Sequence, residues 1–162
     1  MSQGKIIVFM GSAKDLDFAS RIQEFLQEED FGLQTKYVVA SAHKTPRKLL
    51  EKLEEFEKIE GPVVYITVAG LSDALSGVVA GNTRNPVIAC PPDSERFGWA
   101  KFFSSAVTPQ GVAVAYVQRP ENAALAAVKI LGLSNKALQK RIDHYFRRLK
   151  ADSPDAEELD GR

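Results

Sequence analysis

Residues 63–69, VVYITVA, run without a charge and carry only two hydroxyls as polar groups. A strand this apolar has no face to offer water. It needs cover on both sides, and that is the signature of a parallel sheet buried between helices. Four other short runs resemble it: Lys5–Met10 (KIIVFM), residues 33–39, residues 86–90 (PVIAC) and residues 111–117 (GVAVAYV). Between them the apolar spacing changes from continuous to helical. Phe18, Ile22, Phe25 and Leu26 mark one helix, with Gly32 as its C-cap. Leu49, Leu50, Leu53 and Phe56 mark a second, with Thr45 as N-cap and Pro46 at its first position.

Further helices are expected over a small-residue segment after Gly70, at 99–105, at 121–131 and at 135–149, while PPDSERFG is expected to be a loop. Strands alternating with helices predict an α/β fold: a doubly wound three-layer sandwich with a central parallel sheet, flavodoxin-like, with helices at the C-terminal end. One domain is expected over residues 1–150, followed by an acidic, mobile tail at 151–162. The 121–131 helix carries alanines around most of its circumference (Ala123, Ala124, Ala126, Ala127), so burial on several faces is expected, and with it a homo-oligomer interface.

Composition removes several classes of function. Twenty-one basic residues balance 21 acidic ones, which argues against a nucleic-acid binder. The single cysteine, Cys90, rules out an internal disulfide and fits a cytoplasmic location. The N-terminal run has neither the length nor the cleavage site of a signal peptide. No apolar stretch reaches the roughly 18 residues that span a bilayer, so no membrane partner is expected. Two distant histidines, His43 and His144, and one cysteine make no metal cluster. Cys90 is expected in the core and His144 on a solvated helix face.

In open α/β sheets, ligands bind beyond the carboxyl ends of the strands. Three loops fall there: Gly11-Ser12-Ala13-Lys14-Asp15, Ser41-Ala42-His43-Lys44-Thr45 and Gly70-Leu71-Ser72-Asp73. Each precedes a helix, so backbone N–H groups and the positive end of a helix dipole face the site, which favours an anion such as phosphate. Ser12, Ser41, Lys14, Lys44 and Arg47 add donors, and Asp15 can accept from sugar hydroxyls. Each loop also has a plainer reading. A Gly-Ser turn is usually only a turn, Asp15 can simply stabilise a helix start, and a lone loop histidine is often structural. The spacing of a nucleotide P-loop and of a dinucleotide fingerprint are both absent.

The strings MGSAKD, SAHKTP, AGLSDALSGVVAGNTRNPVIACPP and SSAVTPQGVAVAYV, in this order, resemble the phosphoribosylaminoimidazole carboxylase family of purine biosynthesis. The resemblance runs from about Ile6 to Leu149. One branch of the family moves a carboxylate from N5-carboxyaminoimidazole ribonucleotide to ring carbon. The other adds carbon dioxide directly to aminoimidazole ribonucleotide. The mutase branch typically reads SAHRTP and AGGAAHLPGM. Lys44, the Ser72–Gly77 segment, GNT and ACPP instead look like the direct carboxylase, a lyase.

The resemblance implies that Gly11, Ser12, Asp15, Ser41 and Lys44 contact the ribose phosphate, with Lys14 and Ala42 beside them. Ala69, Gly70, Ser72, Ala74 and Leu75 would surround the base and carbon dioxide, and His43 would be the general acid/base. It implies no cofactor and no metal, and a homo-tetramer or homo-octamer with sites at subunit contacts. Two positions depart from the family pattern. Lys14 stands where serine is common, and Leu71 stands where the carboxylase branch commonly has arginine. The rival readings are the mutase and, more distantly, a non-catalytic flavodoxin-like or receiver domain. A receiver needs acidic residues where this chain has Met10-Gly11 and Ala69-Gly70.

Overall fold

The computed structural model describes residues 4–151; the expected acidic tail lies outside them from residue 152 onward. Five parallel strands form one sheet in the order β2-β1-β3-β4-β5: β1 Lys5–Met10, β2 Thr35–Val39, β3 Val63–Val68, β4 Val87–Ala89 and β5 Ala115–Tyr116. This is the flavodoxin-like order, and the chain reverses direction of winding between β1 and β3. Val8 pairs with Tyr37 on one side and Ile66 on the other, which fixes the register of the three central strands.

Alternation along β1 explains the three layers. Ile6, Val8 and Met10 face one side and pack with α1 (Leu16–Glu28) through Ala19, Ile22 and Leu26, and with α6 (Pro120–Gly132) through Ala123, Ala124 and Ala127. Ile7 and Phe9 face the other side. There they meet Leu49, Leu53 and Phe56 of α2 (Pro46–Glu57), and Leu75 and Val79 of α3 (Ala74–Ala80). Phe9 sits between the Phe56 and Tyr65 rings, at centroid separations of 5.9 and 5.7 Å. β3 is buried along its whole length, as its composition requires.

Several boundaries differ from the sequence expectation. Gly32 does not cap α1. The helix closes at Asp30, which takes a left-handed φ of +49°. Phe31 N donates to Leu26 O and Asp30 N to Gln27 O, a Schellman pair, and Phe31 packs on Phe25. Gly32, with φ +68°, belongs to the approach to β2. The PPDSERFG segment is not all loop, since Ser94–Phe97 forms a single-turn helix, α4. α5 (Trp99–Ala106) follows it. The fifth strand shrinks to two residues because its only partner among the described residues, β4, is three residues long and Thr108 folds back to bond Val112 O.

The alanine-rich helix is buried on several faces, but inside one chain. α1, the sheet and α7 (Lys136–Ala151) surround it, so its burial needs no second subunit. Among the described residues no helix is long and apolar enough to cross a membrane.

Candidate active site

Three parallel strands end side by side, and the loops that leave them meet in one cleft. After β1, Ser12 caps a short turn. Its Oγ accepts from Lys14 N at 3.2 Å, and its own N–H donates to Asp15 Oδ2 at 3.0 Å. After β2, Ser41 Oγ accepts from Lys44 N at 3.2 Å. Thr45 stands at the N-cap position of α2 as expected, but its side chain makes no cap hydrogen bond. Its Oγ1 turns back, accepting from Ser41 N at 3.1 Å and donating to Ser41 O at 3.2 Å. The hydroxyl therefore closes the loop that presents His43 instead of the helix behind it. Pro46 starts α2 as expected.

After β3, Asp73 caps α3 by accepting from Ser76 N at 3.0 Å and Ser76 Oγ at 2.6 Å. Ser76 in turn shares a hydrogen bond with Thr67 at 2.7 Å, so a buried polar chain anchors the third loop to the sheet. The same loop holds a strained residue. Leu71 has φ +56°, a left-handed value that few non-glycine residues adopt, and it is 65% exposed.

The loops enclose a cleft of about 490 Å³ lined by most of the sequence candidates: Gly11, Ser12, Lys14, Asp15, Ser41, Ala42, His43, Lys44, Ala69, Gly70, Ser72 and Leu75. Across it, His43 Nε2 lies 3.5 Å from Ser72 Oγ. Two candidates are outside the lining: Ala74, at the first position of α3, and Arg47, in the first turn of α2. Leu71 and Asp93 complete the wall. The Ser12 and Ser41 hydroxyls each accept a backbone hydrogen bond and keep a proton to donate. With Lys14 and Lys44 they can hold an anion of phosphate size, while Ala42, Ala69 and Leu75 give the floor an apolar patch.

Two residues of this region escaped sequence reasoning. Asp93 Oδ2 accepts from Leu71 N at 2.7 Å. Lys101, on α5, is only 1% exposed and donates to Ala69 O at 2.5 Å and to Leu71 O at 2.6 Å. The only sequence signal for Lys101 was a single charge on an otherwise uncharged helix, WAKFFSSA. Charge is unevenly distributed here. Burial raises the Asp15 carboxyl above its ordinary value; the Ser12 hydrogen bond opposes this and Asp93 adds to it. Burial also lowers the Lys101 ammonium, against the pull of Asp73, Asp93 and Asp15.

Cys90, His144, Trp99 and Phe97 lie outside the lining of the cleft. Cys90 is buried, and burial, with the nearby Glu121 charge, pushes its thiol up to about 12, so it is a core residue. His144 is exposed on α7, with Glu28, Arg141 and Arg148 close by. Trp99 is 77% exposed and packs edge-on against Phe102. Phe97 lines a hollow with Leu71 and Ala100.

A family model described as AIR carboxylase matches residues 5–152. The chain belongs to the AIR carboxylase family. A phosphoribosylaminoimidazole carboxylase of Archaeoglobus fulgidus is 48% identical over 138 residues, which is 85% of this chain and 74% of that protein. An N5-carboxyaminoimidazole ribonucleotide mutase of Methanocaldococcus jannaschii is 40% identical over 147 residues, 90% of each chain. The crystal structure of Treponema denticola PurE superposes with a TM-score of 0.86 at 37% identity, covering 91% of this chain and 92% of that one. The AIR carboxylase family therefore includes relatives of this chain that carry both reaction names. The five-stranded parallel sheet and its helices are the fold of these structures.

Proposed function

We propose that this chain is a carboxy-lyase that interconverts aminoimidazole ribonucleotide plus carbon dioxide with 4-carboxyaminoimidazole ribonucleotide. The observation that carries the reading is the placement of His43 opposite Ser72, 3.5 Å apart, at the mouth of a cleft whose other walls hold the anion donors. The ring of the substrate is an enamine, so its ring carbon is a nucleophile. It attacks carbon dioxide, forming a carbon–carbon bond and a cationic ring that still bears its hydrogen. His43 takes that proton, and aromaticity returns. In the reverse direction His43 delivers the proton to the same carbon and carbon dioxide leaves. Such a proton transfer contributes about 10²–10⁴-fold, and an imidazole suits it at neutral pH.

The ribose phosphate rests against Ser12, Ser41, Lys14 and Lys44, and Asp15 accepts from the ribose. Carbon dioxide, being apolar, occupies the Ala42–Ala69–Leu75 side. The Ser72 hydroxyl is placed to donate to the carboxylate as charge develops on it. Self-association, as a homo-tetramer or homo-octamer, is part of the same reading. Its support is the apolar area that Leu71, Trp99, Phe103 and Val107 expose beside the cleft. Residues 1–150 act as one domain in it.

The mutase is the second reading, favoured by the Methanocaldococcus relative named for it. The two share the fold and the histidine and differ in substrate. Lys44 and the Ser72 loop favour the carboxylase. The deciding experiment follows consumption of aminoimidazole ribonucleotide with dissolved carbon dioxide and no ATP, beside an assay with N5-carboxyaminoimidazole ribonucleotide. Turnover in the first alone establishes the carboxylase, and turnover in the second alone establishes the mutase. His43→Asn is expected to lose at least about a hundredfold in kcat while remaining folded. Near wild-type turnover of that variant removes His43 from the mechanism.

A further inference from the structure

The loop after β3 is held at four main-chain atoms by side chains from the segment 93–104. Lys101 Nζ binds the carbonyls of Ala69 and Leu71, at 2.5 and 2.6 Å. Asp93 Oδ2 takes the N–H of Leu71 at 2.7 Å, and Ser104 Oγ takes the N–H of Asp73 at 2.5 Å. Between these ties Leu71 sits at φ +56°. A leucine keeps such a conformation only where its surroundings over-determine it. The next residue, Ser72, is the one that reaches His43.

We propose that Lys101 is a positioning residue, whose buried ammonium locks the left-handed turn at Leu71 and thereby sets Ser72 against His43. It is not among the residues that line the cleft; it lines the neighbouring hollow with Leu71, Ser72 and Phe97. A neutral acceptor, Ser104 Oγ, already holds the N–H of Asp73; the carbonyl side of the turn has the lysine alone among the hydrogen bonds the described residues make there. A compact tetrahedral ammonium can turn its donors onto two carbonyls that point to one spot, whereas the larger guanidinium fixes its N–H directions in one plane. The charge also has a counterweight, since Asp15, Asp73 and Asp93 all act on it. Removing it would leave two carbonyls unmet and three carboxylates without their shared cation.

The test uses Lys101→Met in the full chain, with two readouts. Hydrogen exchange of the amides of Leu71 to Asp73 is expected to quicken at least about tenfold, while the amides of β1 keep wild-type protection. In steady state, kcat is expected to fall at least about tenfold with KM within about threefold, because the loops that hold the phosphate do not touch Lys101. Unchanged exchange overturns the proposal. So does faster exchange with undiminished kcat, and so does a loss of kcat matched by the loss of folded protein. Should the methionine variant not fold, Lys101→Arg carries the test. It keeps the charge but loses the two-carbonyl geometry, so faster loop exchange and lower kcat at wild-type KM are expected, and wild-type values overturn the proposal. The kinetic arm rests on the lyase reading. Should wild-type protein turn over neither ribonucleotide, that reading fails, and the exchange arm still decides what Lys101 does.

Discussion

Replacing Gly70 by alanine probes the loop from its other side. A Cβ at that position would lie 2.7 Å from Asp93 Oδ2 and 3.6 Å from Asp15 Oδ1. The first distance is too short for carbon and oxygen, so the Asp93 carboxylate must move. It cannot do so without loss, because the same oxygen holds the Leu71 N–H at 2.7 Å. The backbone at Gly70 itself does not resist, since its φ is not among the positive values. The cost is therefore one hydrogen bond to a charged group, about 1.5–3 kcal/mol. Against it stands the gain from stiffening the unfolded chain, about 0.4–1 kcal/mol. The net is a destabilisation of about 1.5 kcal/mol, which at ~2–4 °C per kcal/mol for a chain of this size lowers Tm by about 3–6 °C. Gly11→Ala is the matched control. Its Cβ would meet the Ala69 Cβ at 3.5 Å, an ordinary contact, and its φ is not positive either. Its Tm is expected to stay level or rise slightly. Thermal unfolding of both variants, followed by circular dichroism in one buffer, measures the difference. A Gly70→Ala variant that melts at or above Gly11→Ala would refute the steric reasoning and, with it, the tie between Asp93 and Leu71.

Two pH predictions follow from carboxylates shifted in opposite senses. Burial, helped by Asp93, raises Asp15 above 3.8. Its charged form therefore costs stability, a cost absent at low pH and complete once pH exceeds the raised value. Asp15→Asn, which keeps an acceptor for Ser12 N, is expected to gain in Tm relative to wild type on going from about pH 3 to about pH 7; a relative loss over that range contradicts the assignment. Glu57 is the reverse case. Burial works against its charge, but hydrogen bonds from Thr83, Tyr65 and Asn85 and the Arg84 charge hold it below 4.5. Its contribution is present above that value and lost as pH falls through the lowered one. Glu57→Gln is expected to lower Tm near neutrality and to leave it unchanged in strong acid; an equal loss at both pH values would show that only packing is involved.

The sheet, its parallel sense and the helices on both faces were legible because β3 and β1 have no polar face and the segments between them keep a helical period. The three loops were legible because strand ends and helix starts both leave signatures, and these bracket the site from two sides. What stayed hidden depends on long-range partners. Nothing in TKYVVASAHKTP says that Thr45 will bond Ser41 in preference to capping its own helix, since one hydroxyl serves either use. Nothing near Asp30 says that an aspartate will take the left-handed turn when a glycine stands two residues on. The alanine-rich helix is a different case. Its pattern reports how much of its surface is buried and is silent on what buries it, and α7 does so within the chain.

The Leu71 position shows the same limit at the centre of the site. Where the family pattern puts an arginine, this chain exposes a leucine, and sequence alone counts that as a missing cation. The fold returns a positive charge to the same loop from 30 residues further on, with Lys101 Nζ 2.6 Å from the carbonyl of Leu71. The two charges are not equivalent. An arginine carried by the loop could face the cleft, whereas the lysine approaches from beneath and spends its donors on main-chain oxygens, with 1% of its surface exposed. Its field still reaches Asp15 on the cleft wall, where it opposes part of the rise that burial causes. On the reading proposed above, a carboxylate forming in the cleft meets the Ser72 hydroxyl directly, and the buried cation acts on it only through the turn that carries Ser72.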